Sequence, residues 1–149
     1  MKRKTIVKDK PSVRVLPQTD DQTLCVEMSG LIRAEDHKRA FYDNLEKIIA
    51  KNGFYDLLIV HAPDFKGWEA GAADQSLRTI MELAKYGRRR AMVNPPEKIV
   101  LMQKVSGDKL FGGETRYFNV DQFDEALAWV KSSARKVKKA PKRSRKRTK

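Results

Sequence analysis

The sequence predicts an α/β domain built on a five-stranded, mostly parallel sheet. Two observations carry this prediction. Amphipathic helical stretches alternate along the chain with short apolar strands, and residues 57–62 are apolar with no charged side chain, as in strands that are covered on both faces. Parallel neighbouring strands need a crossover connection, which a helix between them supplies. The predicted order of elements is ββαβαβαβα.

The first two strands are indicated by a period of two. Residues 13–15 and 23–28 alternate apolar with polar side chains, and residues 17–22 between them form a predicted turn. Cys25 falls on the more polar side of this alternation. We therefore expect it to be a small reduced side chain and not a reactive thiol.

Four helices and three further strands follow. Phe41, Leu45 and Ile48 recur at helical spacing, which predicts a helix over residues 34–52 that ends at Gly53. The remaining predictions are a helix over 71–86 ending at Gly87, a strand at 90–93, a helix at 97–105, a Gly-rich loop at 106–114, a strand at 115–120 and a final helix capped by Asp121.

The net charge of +13 belongs to the two ends of the chain. Residues 131–149 hold 11 of the 32 basic residues and no acid, and residues 1–10 hold 5 basic residues and one Asp. The intervening body keeps 16 basic and 18 acidic residues, a net charge of −2. We therefore expect a basic extension over residues 1–11, a folded domain over 12–133 and a disordered polybasic tail over 134–149.

The sequence shows neither a secretion signal nor a membrane-spanning stretch. A single cysteine, Cys25, excludes an internal disulfide framework. The basic N-terminus is not followed by the apolar run of a signal peptide, and no stretch approaches the roughly 20 apolar residues that cross a bilayer. A soluble, cytoplasmic protein is expected.

Three stretches of the chain, together with the order of elements, carry a resemblance to a known family. They are SGLIRAEDHKRAFYDNL, DFKGWEAGAA and FDEALAWV. Over about residues 12–132 the chain resembles the SpoIIAA-like family, which belongs to the wider STAS-type α/β fold. The resemblance implies a non-enzymatic module that binds protein partners, small hydrophobic ligands or membrane surfaces. Phosphoregulated antagonists of the wider group carry a Ser where residues 64–72 here read DFKGWEAGA. With no Ser or Thr there, a phosphorylation switch is not expected.

Catalytic and metal-binding patterns find little support. His61, Asp64 and Glu69 follow a central strand, at the end where open α/β sheets bind ligands, but no nucleophile motif or phosphate-binding loop accompanies them. A structural His61 and a turn-forming Asp64 explain them as well. His37 is expected to be solvated, and the Arg88–Arg90 run to form a solvated edge. No catalytic residue, cofactor or metal is predicted.

Large apolar side chains in the predicted loops are the candidate binding surface for a ligand or a partner. Such side chains could also fold back and cap the core. If they bind, each buried Phe or Trp contributes about 1.5–3 kcal/mol. Asp64 lies among them, and the full candidate set is Leu31, Ile32, Asp64, Phe65, Trp68, Leu110 and Phe111.

The basic tail is the candidate anion-binding segment. Its cations would attract any polyanion, either an anionic membrane surface or nucleic acid, the second without sequence selectivity because no aromatic residue is interleaved for stacking. A nucleic-acid-associated protein is therefore the alternative function, and homodimer formation stays open. The candidate residues are Lys136, Lys138, Lys139, Lys142, Arg143, Arg145, Lys146 and Arg147.

Overall fold

The structure, a computed structural model, describes residues 11–98, 100–101 and 113–132. Seven strands lie in these ranges. They are β1 (Val13–Val15), β2 (Thr23–Met28), β3 (Leu31–Ile32), β4 (Tyr55–His61), β5 (Gly67–Trp68), β6 (Gly87–Val93) and β7 (Glu114–Phe118).

Five of the strands form the main sheet, in the order β1-β2-β4-β6-β7. β1 pairs antiparallel with β2, and the other three pairs are parallel. This arrangement confirms the predicted α/β class and the mostly parallel sheet. β3 and β5 form a separate two-stranded parallel sheet that the predicted order of elements does not contain.

The sheet is covered on both faces, so it has two apolar cores. Alternate residues of a strand point to opposite faces. Leu24, Val26 and Ile59 accordingly belong to the core on one face, whereas Cys25 and Leu58 belong to the other. The first face is covered mainly by the helices that follow β3 and β5, and the second by the last helix of the described chain.

The first helical segment, α1, runs without a break through Ala34–Asp36, a π-helical stretch His37–Tyr42, and Asp43–Asn52. Its buried face carries Phe41, Leu45 and Ile48 at the predicted spacing. Gly53 ends it in the left-handed conformation with φ of 85°, and its N–H donates to the Ile49 carbonyl at 2.7 Å. The predicted bounds and stop of this helix are confirmed.

A buried carboxylate ties the start of α1 to β1. Asp36 accepts hydrogen bonds from the backbone N–H and the hydroxyl of Ser12, both at 2.7 Å, and forms ion pairs with Arg33 and Arg39 at 2.9 and 3.0 Å. Burial alone would raise the pKa of Asp36, but these hydrogen bonds and the Arg33 charge lower it below its usual value. The negative charge of Asp36 is compensated by these partners, and its contacts with Ser12 hold the start of α1 against β1.

The second helix, α2 (Ala70–Leu83), is followed by a 3₁₀ turn, Ala84–Tyr86. Gly87 comes after this turn, but it does not act as the expected left-handed stop, since its φ is −79°. A side chain at Gly87 would instead meet the Tyr55 hydroxyl at 3.0 Å. The glycine is therefore needed for close packing between β4 and β6.

The arginine run Arg88–Arg90 is not a solvated edge, and that prediction is wrong. β6 begins at Gly87, three residues earlier than predicted, and it lies inside the sheet because β7 pairs with it. Arg88 pairs with the fully buried Asp56 at 2.6 Å, Arg89 donates to the Trp129 carbonyl at 2.7 Å, and Arg90 is only 5% exposed. All three guanidinium groups have partners within the fold.

The final helix, α3 (residues 123–132), packs Ala126 and Val130 into the second core, as predicted. Two details differ from the sequence-based expectation. Cys25 lies fully buried beneath this helix and not on a more polar face, and burial raises the pKa of its thiol to about 11, which agrees with the expected unreactive side chain. The cap is Asn119 and not Asp121, since the Asn119 N–H pairs with the Gln122 side chain at 2.8 Å around a 3₁₀ turn, Val120–Gln122.

Several predicted segments lie wholly or partly outside the described residues. Of the helix predicted at 97–105, residues 97, 98, 100 and 101 are helical. Residues 1–10, the tail 134–149 and the Gly-rich loop, apart from Gly113 and Glu114, fall outside the described ranges. Among the described helices, none has the length and apolar character that crossing a membrane requires.

Candidate binding site

Two loops meet at the carboxyl edge of the sheet. β2 and β4 are parallel neighbours and end at Met28 and His61, so the chain leaves both strands at the same edge. Each loop then forms one of the two short strands, and Leu31 pairs with Gly67 and Ile32 with Trp68. Two of the candidate apolar groups, Leu31 with Ile32 and Phe65 with Trp68, therefore lie at one end of the sheet, and backbone pairing holds their loops together.

Backbone hydrogen bonds hold this small sheet in place. The Lys66 N–H donates to the Gly30 carbonyl at 2.8 Å, and the Glu69 N–H donates to the Ile32 carbonyl at 2.9 Å. Gly30 and Gly67 have φ of 60° and 111°, a region that favours glycine. Asp64 lies in the predicted turn, in which the Phe65 N–H donates to the Ala62 carbonyl at 3.0 Å, and its carboxylate accepts the N–H of Gly30 in the other loop at 3.4 Å.

The candidate apolar residues differ in exposure. Leu31 is 49% exposed, whereas Ile32 is 0% exposed and belongs to the core. Ile32 therefore supports the small sheet from below and has no surface to offer a ligand, which corrects its inclusion among the binding residues. Phe65 and Trp68 are partly buried and pack against the first core. Leu110 and Phe111 lie outside the described residues, as do the eight candidate cations of the tail.

Three aromatic rings lie in a row beneath these loops. The centroids of His61 and Phe65 are 5.0 Å apart, those of Phe65 and Trp68 are 5.3 Å apart, and both pairs meet edge to face. Edge-to-face geometry is favourable for aromatic pairs because the positive edge of one ring meets the negative face of the other. The row joins the end of β4 to the start of α2.

His61 has the surroundings of a structural histidine. It is 2% exposed, and its ring forms a hydrogen bond with the Val93 backbone. Its own carbonyl accepts the Asn94 side-chain amide at 2.9 Å. Burial lowers the pKa of His61 to about 4, so the ring is neutral near pH 7. Its Nδ1 atom is buried without a hydrogen-bond partner.

His37 is buried, and the prediction that it is solvated is wrong. It is 0% exposed, stacks on Phe41 at 4.7 Å, and has no hydrogen-bond partner for either ring nitrogen. Burial lowers its pKa to about 4. A sequence signal was present, because His37 lies four residues before Phe41 and eight before Leu45, on the apolar stripe of α1.

A polar groove of about 210 Å³ lies away from this site, between the β1–β2 turn and α1. Three of its four charged residues form ion pairs, Lys51 with Asp21 at 3.2 Å and Asp20 with Lys131 at 3.0 Å. Elsewhere in the described ranges, no three His, Cys, Asp or Glu side chains converge as a metal site requires. The carboxyl edge is the stronger candidate for binding.

Comparison with known proteins identifies one family. The family described as SpoIIAA-like matches residues 23–131. The fold is similar to the crystal structure of an uncharacterised protein from Shewanella loihica PV-4 with a SpoIIAA-like fold, at a TM-score of 0.60 and 21% identity over 80% of this chain and 93% of that one. No curated protein matches the chain in sequence.

Proposed function

This chain belongs to the SpoIIAA-like family, and on that basis we propose that it is a non-enzymatic regulatory module that docks a protein partner on its β3–β5 surface. Domains with this fold act generally as protein-interaction and regulatory modules. The family does not identify the partner, so the choice of partner must depend on the surface residues of this chain.

The half-exposed Leu31 carries the proposal. It lies on a paired strand whose neighbour, Ile32, is locked in the core, so its position is set before any partner arrives. Leu31 pairs with Gly67 on β5, and the aromatic residues near Gly67 in the chain, Phe65 and Trp68, are partly exposed. An apolar group in a fixed position is suited to an interface, because little conformational freedom is lost when the partner binds.

The surroundings of the polar residues favour binding over catalysis. His61 lies beneath Phe65 with 2% exposure, so its ring is poorly placed to exchange protons with a substrate at the surface. The Asp64 carboxylate links the two loops by accepting the Gly30 N–H. A non-enzymatic role is therefore part of the proposal.

Substituting Leu31 tests the proposal against a matched control. Leu31→Glu places a charge on the surface, and Met81→Glu does the same on α2, where Met81 is 61% exposed. Both variants should keep the wild-type melting temperature, because neither side chain is buried. Cross-linking in native cell extract should yield a partner with wild type and Met81→Glu but not with Leu31→Glu. A partner retained by Leu31→Glu would contradict the proposal.

A small hydrophobic ligand or an anionic membrane surface could also bind at this apolar surface. Co-sedimentation of wild type and Leu31→Glu with vesicles distinguishes membrane binding from binding of a protein partner. A concentration series in analytical ultracentrifugation tests the homodimer. Contacts made by apolar side chains should persist at high salt, since screening acts on charges and not on apolar area.

Nucleic-acid association through the tail is the second candidate function. The observation that favours it is the density of 11 cations in residues 131–149. Engaging about six phosphates would give a slope near −5 for log affinity against log salt. Ending the chain after Ser133 removes 10 of those cations and should abolish DNA binding. Tight duplex binding by the shortened chain at 200 mM salt would overturn this role of the tail.

A further inference from the structure

One exposed arginine lies beside the point where the described domain passes into the basic tail. Arg116 on β7 has a side chain that is 55% exposed, and its guanidinium group lies over the Trp129 ring, 4.8 Å from the ring centroid. Guanidinium groups stack favourably on aromatic faces. The stacking restricts the Arg116 side chain and leaves more than half of it open to an anionic partner.

The last turn of α3 is fixed to the sheet next to this arginine. Arg89 donates to the Trp129 carbonyl and to the Ser132 hydroxyl, both at 2.7 Å, and its guanidinium group also lies over the Trp129 ring. These bonds tie the end of the helix to β6. The chain therefore leaves the described domain at a fixed position, on the side of the sheet where Arg116 lies.

The sequence continues from this position into ten cations. Residues 134–149 hold ten Lys or Arg and no acid, and the first of these cations, Arg135, follows Ser132 by three residues. Three residues of chain span at most about 11 Å. Duplex DNA carries one phosphate charge per roughly 1.7 Å of its axis, so one duplex can contact Arg116 and the first tail cations together.

The acidic residues of α3 lie at its opposite end. Asp124 and Glu125 are exposed in its first turn, whereas residues 129–132 of its last turn include no acid. Glu114 lies 3.8 Å from Arg116 and 3.7 Å from Arg89, so one carboxylate is shared between two guanidinium groups. This sharing leaves a net positive charge, which attracts a polyanion to the last turn of the helix.

The residue types favour nucleic acid over a membrane as this polyanion. Residues 133–149 hold no aromatic, Leu, Ile or Met side chain that would insert among lipid chains. A guanidinium group can bind a phosphate through two parallel hydrogen bonds. The Trp129 ring is already stacked against guanidinium groups and is not free to stack on a base. The expected contact is therefore with the backbone, without sequence preference.

We propose that Arg116 is a phosphate contact of the folded domain, and that it acts with the basic tail to position a nucleic-acid duplex against β7 and the last turn of α3. The proposal rests on nucleic-acid association, the second candidate function, and adds the surface of the domain that takes part. The tail supplies most of the affinity, and Arg116 determines where on the domain the duplex lies.

Fluorescence anisotropy of a labelled DNA duplex with the full chain, between 50 and 200 mM salt, tests this against a matched control. Arg116→Gln and Arg78→Gln each remove one exposed arginine that pairs with one or more carboxylates, and Arg78 lies on α2, over the other face of the sheet. Arg116→Gln should raise the Kd about five- to tenfold at 100 mM salt and reduce the slope of log affinity against log salt by about 1. Arg78→Gln should change neither, and Arg116→Lys should keep the slope.

Substituting the acids that pair with these arginines gives a prediction of opposite sign. Glu114→Gln removes the carboxylate beside Arg116 and should lower the Kd about threefold, because less negative charge repels the phosphates. Asp74→Asn, the matching change beside Arg78, should leave the Kd in place. Glu114 is exposed, so its variant still tests the proposal if Arg116→Gln fails to fold.

The two tryptophans of the chain locate the contact directly. In ¹H–¹⁵N NMR spectra of the full chain, added duplex should shift the indole N–H signal of Trp129, because its ring lies beneath Arg116. The signal of Trp68, which packs against the other core, should stay in place.

Three results would overturn the proposal. They are equal Kd values and slopes for Arg116→Gln and Arg78→Gln, no shift of the Trp129 signal, and an effect of Arg116→Gln on vesicles of phosphatidylserine and phosphatidylcholine but not on the duplex, which would assign the surface to a membrane. The chain ended after Ser133 distinguishes this failure from that of the second candidate function. If that chain loses DNA binding while Arg116→Gln behaves as Arg78→Gln, the tail binds alone and only the domain surface is wrong. Duplex binding unchanged by removal of the tail would overturn both.

Discussion

His37 and His61 are the two histidines of the chain, and their exposed fractions are 0% and 2%. Burial lowers the pKa of the His37 ring from 6.5 to about 4. Burial also lowers the pKa of His61 from 6.5 to about 4, although the hydrogen bond to the Val93 backbone acts in the opposite direction. Between these pH values the unfolded chain binds protons that the folded chain does not. The free energy of unfolding therefore falls as pH drops from about 6.5 to 4.

Replacing one histidine should remove its share of this pH dependence. His37→Phe keeps a ring against Phe41 and removes the titratable group, so its free energy of unfolding should lose less on acidification. The expected difference between pH 7 and pH 5 is roughly 2 kcal/mol smaller than in wild type. Urea unfolding at both pH values measures it. An unchanged pH dependence in His37→Phe would show that the ring is not neutral and buried in solution.

At the scale of the helices, two glycines in open space have different roles. A Cβ atom added to either Gly53 or Gly71 would meet nothing within 4 Å, so sterics with neighbours do not separate them. Their backbones do. Gly53 ends α1 with φ of 85°, whereas Gly71 lies in the first turn of α2 without a positive φ.

Alanine substitutions at these positions should therefore have opposite signs. Gly53→Ala should cost about 1 kcal/mol, because an L side chain is strained in the left-handed region. Gly71→Ala should stabilise by a few tenths of a kcal/mol, through the higher helix propensity of alanine. Chemical denaturation of the two variants under one condition compares them directly. The same sign for both would mean that the backbone conformation of Gly53 is not the deciding factor.

At the scale of the whole molecule, the contacts predict where the folded unit begins and ends. The Ser12 N–H donates to the buried Asp36 at 2.7 Å, so Pro11 must remain to keep that amide a peptide. At the other end, Arg89 donates to the Ser132 hydroxyl at 2.7 Å, and Val130 is fully buried. Residues 11–132 include all of these contacts.

A chain trimmed to residues 11–132 should keep its melting temperature within a few degrees of the full-length value. Trimming to 11–128 should lower it sharply, because it removes Trp129, Val130 and the Lys131 contacts with Asp20 and the Gln18 carbonyl. Differential scanning calorimetry measures both. A large loss in the 11–132 chain would show that the basic ends contribute to the fold.

The sequence by itself determined the features whose causes are local. The bounds of α1, its stop at Gly53, the apolar β4 and the parallel sheet all follow from periodicity and end signals within a few residues. The meeting of the loops that carry Leu31 and Trp68 also follows, because parallel strands end at the same edge.

Only the tertiary structure decided which side chains are buried and what pairs with them. Cys25 fell on the more polar side of its strand and the Arg88–Arg90 run looked solvated, because α3 and β7, which cover them, come much later in the chain. β3 and β5 have two residues each, too few to show a period. Their pairing joins residues far apart in sequence, as does the row of rings from His61 to Trp68 beneath it. Burial depends on what packs against a face, and that partner is distant along the chain.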